Sequence, residues 1–428
     1  MPTGAAERTR FEILRNRDFS LVWSAGVISQ VGDWALSIGL VYLVYILTGS
    51  TLATGSALLA AVVPQALAGV FAGVYVDRWS RKRTMIGVNL GLALGLLPLL
   101  LVHTVGEIWI VYVVLVYESS VAAFFPPAEG ALIPDLVGGA ALFQANSVYG
   151  AGRQFARLAG AALGGVLVGA TGLWGVTLVD AAGFVAAAIL LWPIREPVPG
   201  SPAAGRPRRD STDSRLARFG SEWRDGLAEI RRSPTAWTIL ILTSIVFVGE
   251  GVFGTLAAPF VVSVLHGSGA DYGLFLSLQA LGGIVGGVFV ASQARRWNPR
   301  TVLPAGAIVF GAMDLVVFNY PLFIPGIALA LLLIVFVGLP ASAYSASYSA
   351  LQQAGVEARY RGRFIAIVQT VGLVTMIGGI LLAGFLGNTL GIIPLLEIQG
   401  GVYIAGGLFV AASLRRPHSV MGTKVAGA

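Results

Sequence analysis

The chain has 428 residues, of which 56% are hydrophobic and only 11% are charged, and its mean hydropathy is +0.80. Soluble domains carry about 25% charged residues, so this composition excludes a water-soluble globular protein and indicates a membrane protein. The absence of cysteine and the presence of only three histidines exclude structural disulfides, iron–sulfur clusters and cysteine-based zinc sites, and we expect no metal centre and no cofactor.

Twelve apolar stretches, each long enough to cross a bilayer as a helix, follow one another along the chain. We predict spans 1 to 12 at residues 19–46, 51–76, 84–103, 107–127, 146–169, 173–192, 235–264, 270–293, 302–320, 322–344, 364–388 and 398–414. Membrane strands are only about 10 residues long and alternate in polarity, so helices are expected. The predicted fold class is an all-α membrane protein with twelve transmembrane helices.

The basic residues mark one side of the membrane. All 28 lysines and arginines lie before span 1, in alternate loops, at the start of span 5 or after span 12, and the other six loops have none. Because cytoplasmic loops carry an excess of Lys and Arg, this predicts a multi-pass protein of the cell membrane with both termini in the cytoplasm. The net charge of +7 is then a signal of topology, and nucleic acid is not an expected partner.

The only long polar segment, residues 193–233, separates six spans from six. Its second part predicts a surface helix over 213–232, with apolar residues every three or four positions at Leu216, Phe219, Trp223, Leu227 and Ile230. Three parts are therefore predicted: a six-helix bundle over 1–192, a cytoplasmic linker over 193–233 and a second six-helix bundle over 234–428.

The two bundles resemble each other in sequence. A shift of 214 residues aligns the segments 73–76 with 287–290, 81–82 with 295–296, and 163–167 with 377–381. Matches at one offset, in corresponding loops, predict two pseudo-symmetric halves. Such halves are typical of transporters that work by alternating access to a site near the middle of the membrane.

The loop between spans 2 and 3, Gly73-x-x-x-Asp77-Arg78-x-x-Arg81-Lys82, resembles the signature loop of the major facilitator superfamily. Three further segments resemble its drug-efflux branch, which includes enterobactin exporters and macrolide-efflux pumps: 14–19, 133–137 and 361–363. The antiporter glycine motif corresponds to Gly160-Ala161-x-x-Gly164-Gly165, but antiporters of this kind usually have Gly-Pro where Ala161 stands. This departure weakens the inference of antiport.

The signature loop has a physical interpretation of its own. Gly73 permits close helix approach, and Asp77 can accept hydrogen bonds at a helix N-terminus. The basic residues Arg78, Arg81 and Lys82 can pair with an acid on a neighbouring helix, for which Glu129 and Asp135 are the candidates. The resemblance implies that this loop is a latch for the outward-open state. The alternative is a simple basic anchor at the membrane surface.

Three acids are predicted at the middle of membrane spans, where charge is costly and therefore indicates function. They are Asp33 on span 1, Glu118 on span 4 and Glu250 on span 7. The resemblance implies that these spans line the central cavity. Each acid can load a proton or neutralise a cationic substrate, and Asp33 is the first candidate for coupling; the alternative is a permanently paired structural carboxylate.

Other charges within the spans are interpreted from their positions. Arg153 and Arg157 share a face of span 5, and Arg157 is expected to pair with one of the three acids. Asp180 on span 6 and Asp314 on span 9 lie on helices that are usually peripheral in this superfamily, so a structural role is expected for both.

We therefore predict a secondary exporter of amphipathic small molecules, drugs or siderophore-like compounds, driven by proton antiport. The alternatives are an uncoupled facilitator or a lipid flippase of the same fold. An enzyme is not expected, and an ATP-driven pump is excluded because neither Lys82 nor Lys424 lies in a phosphate-binding loop. The expected partners are the substrate, protons and the lipid bilayer, and the protein is expected to be a monomer.

Overall fold

The computed structural model describes residues 12–76, 78–195, 224, 226–293, 296–357 and 360–414, and it is helical throughout these ranges. The helices that form the spans are Arg17–Thr48, Thr51–Val76, Arg81–Leu96, Ile108–Ala122, Phe125–Leu191, Pro234–Pro259, Gly269–Gln293, Pro299–Asn319, Ala328–Ala354, Arg361–Leu390 and Ile392–Leu414. Short 3-10 or π turns extend spans 3, 7 and 9.

Spans 5 and 6 are two parts of the long helix Phe125–Leu191. The helix is interrupted at Gly138 and at Gly172, whose φ angles of 72° and 64° lie in the left-handed region that favours glycine. By length and composition, 11 helices of the described residues can cross a membrane, and one of them, Gln144–Leu191, contains the break at Gly172. The predicted all-α fold with twelve spans is confirmed once this helix is divided at Gly172.

Polar residues just before the apolar runs set the helix starts. The side-chain oxygen of Asn16 accepts hydrogen bonds from the backbone N–H groups of Asp18 and Phe19, at 3.1 and 3.2 Å. Ser80 and Ser233 cap spans 3 and 7 in the same way. These caps satisfy backbone donors that a helix start leaves without partners.

The buried apolar residues divide between the first six and the last six spans. One cluster is built almost entirely from spans 7 to 12, and two others come from spans 1 to 6. Each half therefore has its own packed interior. The boundaries 192/193 and 233/234 stay predictions.

Most of the linker, including Leu216, Phe219 and Trp223, lies outside the described residues. Its last turns are helical, and Ile230 is fully buried in the interior of the second half. The end of the predicted surface helix thus packs on protein rather than on a membrane surface.

The two halves meet at the end of the molecule that lies away from the basic residues. There Thr51 of span 2 donates from its hydroxyl to the carbonyl oxygen of Gly384 on span 11, at 3.0 Å, and its backbone N–H donates to Asn388 at 3.3 Å. The hydroxyls of Tyr45 and Ser263 lie 2.7 Å apart. Hydrogen bonds therefore hold span 1 to span 7 and span 2 to span 11 at this end, which we call the closed end.

Two glycines bring spans 5 and 8 together near the closed end. A Cβ placed on Gly273 would lie 2.7 Å from the backbone nitrogen of Gly165, which is too close for any side chain. Small residues allow such backbone contact in membrane bundles. The contact joins the two halves over a third pair of helices.

The other end, which carries the basic residues and which we call the basic end, is open. A Cβ placed on Gly73 or on Gly287, the two glycines related by the 214-residue repeat, would meet no atom within 4 Å. Phe71 and Val288, close to these glycines, are 62% and 69% exposed. The halves are thus in contact at one end and separated at the other.

Because the chain has no cysteine, paired cysteine substitutions test this arrangement without background. We expect Thr51→Cys with Asn388→Cys to cross-link on mild oxidation, since Thr51 and Asn388 are hydrogen-bonded. The matched pair Gly73→Cys with Gly287→Cys is expected to stay reduced. The measurement is the shift of the oxidised protein on a gel, and cross-linking of the second pair alone would contradict the arrangement.

Candidate functional site

The structure brings together acids from three spans of the first half. One carboxylate oxygen each from Asp33, Glu118 and Asp180 lies within 4.8 Å of the other two. Asp33 and Glu118 are partly exposed, whereas Asp180 is fully buried. We call these three residues the acid cluster. The interpretation of Asp180 as a peripheral structural residue is corrected, because span 6 turns it towards the two cavity acids.

A glycine makes the approach of span 6 to span 1 possible. A Cβ on Gly32 would collide with the carboxylate of Asp180 and would lie 3.0 Å from its Cα atom. Gly32 therefore leaves the space that the Asp180 side chain fills next to Asp33. The intramembrane position of Asp180 was the signal available in the sequence, since an acid within a span is functional by default.

Few groups of the protein offset the negative charge of the acid cluster. Neither carboxylate oxygen of Asp180 has a hydrogen-bond partner among the described residues, and the same holds for the hydroxyl of Thr177 on the same helix. Carboxylates this close to one another repel when they are ionised, because like charges interact strongly in a low-dielectric medium. The cluster therefore needs positive charge from outside the protein if all three groups are ionised.

Arg157 makes a different contact from the one expected. Its guanidinium carbon lies 5.4 Å from the centre of the Trp34 ring, a cation–π distance. Among the described residues it has no ion pair with any acid. The expected salt bridge to a midplane acid is thus absent in this state, and an aromatic face next to Asp33 takes its place. Arg153, one turn earlier, acts electrostatically on Glu129.

The glycines 160, 164 and 165 have a packing role. A Cβ on Gly160 would lie 2.6 Å from the Cβ of Trp34, and one on Gly164 would lie 2.7 Å from the Cα of Ala35. Span 5 can therefore lie directly against span 1, beside Asp33. Gly165 makes the contact with Gly273 across the halves. Ala161, which stands where antiporters of this kind usually have proline, is buried in this contact region.

The third predicted acid, Glu250, lies apart from the acid cluster. Its carboxylate accepts a hydrogen bond of 2.5 Å from the hydroxyl of Tyr403 on span 12. Tyr403 in turn packs edge-on against Tyr344 and Phe310, with ring centres 5.3 and 4.4 Å away. Asp314 is also buried in the second half, with one carboxylate oxygen unpartnered among the described residues. The second half thus presents an acid set in an aromatic wall.

Glu250 and Arg157 lie on different halves of the molecule, on spans 7 and 5. Both side chains are at least partly exposed. Among the described residues the two groups form no ion pair in this state, and each has its own neighbour: Tyr403 for Glu250 and Trp34 for Arg157.

At the basic end, the structure identifies the acid that pairs with the signature loop. Arg81 forms an ion pair with Asp135, on the helix that follows span 4. Glu129, the other candidate, accepts a hydrogen bond from Tyr149 instead. Its position on the helix directs Glu129 to span 5 in this state, and its grouping with the loop stays a prediction. Asp77 lies outside the described residues.

Two of the three segments that resemble the drug-efflux branch, 14–19 and 133–137, also meet here. The side-chain amide of Asn16 donates to the carbonyl oxygen of Leu136 at 3.0 Å, next to the Arg81–Asp135 ion pair. Residues 14–19, 78–82 and 133–137 therefore form one connected assembly within the first half. Sequence alone could not show this, since the partners are separated by 54 and 120 positions.

Comparison with known proteins agrees with this architecture. The family model of the Major Facilitator Superfamily matches residues 22–255 and 239–427. Macrolide efflux protein A of Streptococcus pyogenes is 23% identical over 382 residues, which cover 87% of this chain and 90% of the relative. Multidrug efflux pump Tap of Mycolicibacterium fortuitum is 24% identical over 384 residues, with coverage of 87% and 90%.

Solved structures share the fold at low sequence identity. A bacterial homologue of the iron transporter ferroportin in an inward-facing state superposes with a TM-score of 0.71 at 14% identity, covering 94% of this chain and 99% of that one. A bacterial homologue of the lysosomal transporter Spinster, inward-facing and unoccupied, gives 0.65 at 17% identity, covering 93% and 95%. The chain belongs to the major facilitator superfamily and is a multi-pass membrane transporter, not an enzyme.

Proposed function

We propose that the protein exports amphipathic small molecules, drugs or siderophore-like compounds, in exchange for protons. The observation that carries the coupling is the position of Glu250, a partly exposed carboxylate in the aromatic wall of the second half whose hydrogen-bond donor is the hydroxyl of Tyr403. The relatives named for macrolide and multidrug efflux support the direction and the substrate class. The substrate and protons are the partners, and the working unit is a monomer in the cell membrane.

The proposed orientation follows from the basic residues. Lys and Arg favour the cytoplasmic side, so the basic end faces the cytoplasm and both termini lie there. The separated halves then open towards the cytoplasm, and the closed end faces outwards. This is the state in which an exporter takes up its substrate.

The uptake surface combines aromatic rings with charge. Trp34 is 39% exposed and lies under Arg157, while Tyr344 and Tyr403 surround Glu250. Aromatic faces bind apolar parts of many shapes, and the carboxylate attracts a cationic group. An amphipathic cation therefore fits this surface better than a small polar solute.

Coupling follows from the charge of Glu250. When ionised, Glu250 is attracted to Arg157 of the other half and to a cationic substrate. A proton that enters from the outside removes this attraction, releases the substrate and lets the halves separate there. Return of the proton to the cytoplasm restores the charge. The geometry favours Glu250 over Asp33 for this step, because Arg157 lies on the opposite half from Glu250 and on the same half as Asp33.

Two described residues of the latch have no contact with the second half in this state. Arg81 is paired with Asp135 of its own half, and Gly73 has open space beside it. In the outward-open state the loop residues Gly73, Asp77, Arg78, Arg81 and Lys82 close against the second half. The ion pair with Asp135 holds the loop in the shape that this contact needs.

Replacement of Glu250 tests the coupling. In proteoliposomes with an imposed pH gradient, Glu250→Gln is expected to abolish gradient-driven flux of a lipophilic cation but to keep counterflow without a gradient. Asp271→Asn is the matched control, since Asp271 is a partly exposed acid at the start of span 8, and it should transport like wild type. If wild-type flux ignores the gradient and survives in Glu250→Gln, an uncoupled facilitator or flippase replaces the antiporter.

The latch is tested by its ion pair. Arg81→Ala leaves Asp135 without its partner and is expected to slow turnover while substrate binding stays close to wild type. Arg83→Ala is the control, because Arg83 is an exposed basic residue of the same loop. The double exchange Arg81→Asp with Asp135→Arg should restore part of the turnover. If Arg81→Ala and Arg83→Ala transport equally well, the latch is rejected, and the loop is only a basic anchor at the membrane surface.

A further inference from the structure

We propose that the acid cluster, Asp33, Glu118 and Asp180, is a binding site for one hard divalent cation of the Ca²⁺ type within the first half. This goes beyond the proposed transport function and concerns other residues than the coupling pair. The site joins spans 1, 4 and 6, which the sequence separates by 85 and 62 positions.

The spacing of the carboxylates fits a single ion. Ca²⁺ binds oxygen ligands at about 2.3–2.6 Å, so ligand oxygens on one ion lie at most about 5 Å apart. The three carboxylate oxygens of the acid cluster lie within 4.8 Å of one another. One ion placed between them can therefore contact all three without a change in the helix positions.

Asp180 carries the argument because its carboxylate has no other function in the structure. The residue is 0% exposed, both of its oxygens lack a hydrogen-bond partner among the described residues, and it points at Asp33 and Glu118. A buried carboxylate without donors is unfavourable unless a positive charge or a metal satisfies it. Arg157, on the neighbouring span 5, contacts Trp34 rather than these acids.

The same helix carries a second buried oxygen without a partner among the described residues. Thr177 lies three residues before Asp180, so both side chains are on one face of span 6. Its hydroxyl is buried and has no partner among the described residues. Two unsatisfied oxygen-bearing side chains on one face, beside two further acids, make a donor set of oxygen only.

The donor set selects the kind of cation. Carboxylate and hydroxyl oxygens favour Mg²⁺, Ca²⁺ and Mn²⁺ over softer metals. Mg²⁺ requires near-octahedral ligands at about 2.0–2.1 Å and gives up water reluctantly, whereas Ca²⁺ tolerates irregular geometry. An irregular site built from three different helices therefore favours Ca²⁺. The partly exposed Asp33 and Glu118 provide the side from which it enters.

Equilibrium binding of radioactive Ca²⁺ to the purified full chain, in detergent at neutral pH and without a gradient, tests the site. We expect one ion per wild-type chain and a loss of affinity of about 10–100-fold or more in Asp180→Asn. Asp314→Asn is the matched control, since Asp314 is an equally buried aspartate of the second half with an unpartnered oxygen. It should bind Ca²⁺ like wild type.

Thermal unfolding gives a second readout, because a ligand that binds only the folded state raises the midpoint. Ca²⁺ is expected to raise the midpoint of wild type and Asp314→Asn but not that of Asp180→Asn. If Asp180→Asn does not fold, Glu118→Gln replaces it, since Glu118 is partly exposed and accepts a milder change.

Absence of saturable Ca²⁺ binding by wild type, or equal binding by wild type and Asp180→Asn, would overturn the site. These results are independent of the transport assay. Ca²⁺ binding together with unchanged flux in Glu250→Gln would support the cation site and reject the proton coupling. If wild type binds no Ca²⁺ and Glu250→Gln loses gradient-driven flux, the cation site is rejected and the proton coupling is supported.

Discussion

The cost of an ionised group in hydrocarbon determines where this protein can place charge, and most of its architecture follows from that cost. All 28 basic residues lie at span ends or in the loops of one side, apart from the pair at 153 and 157 in the first turns of span 5. The few acids within the spans are held by specific neighbours. Tyr403 donates to Glu250, whereas Asp180 is fixed by the space beside Gly32. The acids within the spans therefore lie where neighbouring residues bind them or leave space for them.

Glycine has the complementary role, since it decides where helices touch and where they can separate. At the closed end, Gly165 and Gly273 bring two backbones into contact, and Gly384 accepts a hydrogen bond from Thr51. At the basic end, Gly73 and Gly287 have open space. The same residue type thus occurs both in a formed contact and at a surface free to form one. Contacts between small residues are easily exchanged, because no large side chain must leave a pocket when they part.

Hydropathy was sufficient to predict the fold but not the contacts within it. Twelve apolar stretches and the repeat at 214 residues predicted the spans, and the structure divides spans 5 and 6 at Gly172, within the predicted gap 169–173. Partners between spans were harder, because helical periodicity tells which face a residue lies on but not which helix that face meets. Two acids could pair with Arg81, and only the structure separates Asp135 from Glu129. Asp180 was misjudged because span 6 was treated as peripheral, whereas its Gly32 contact turns one face inwards.

The two halves share the arrangement of their helices but not the positions of their charged residues. At the offset of 214 residues, Asp33, Glu118 and Asp180 correspond to Phe247, Leu332 and Pro394, and Glu250 corresponds to Leu36. Duplication therefore explains the helices, while the acids are particular to each half. The second half satisfies its cavity acid internally, through Tyr403, whereas the first half leaves three carboxylates without a donor for Asp180. A carboxylate that already has a donor can lose or gain a proton with little rearrangement, whereas the acid cluster, in which Asp180 lacks a donor among the described residues, needs positive charge from outside if all three groups are ionised. The two sites are thus suited to different ions, and the division between the halves keeps them apart.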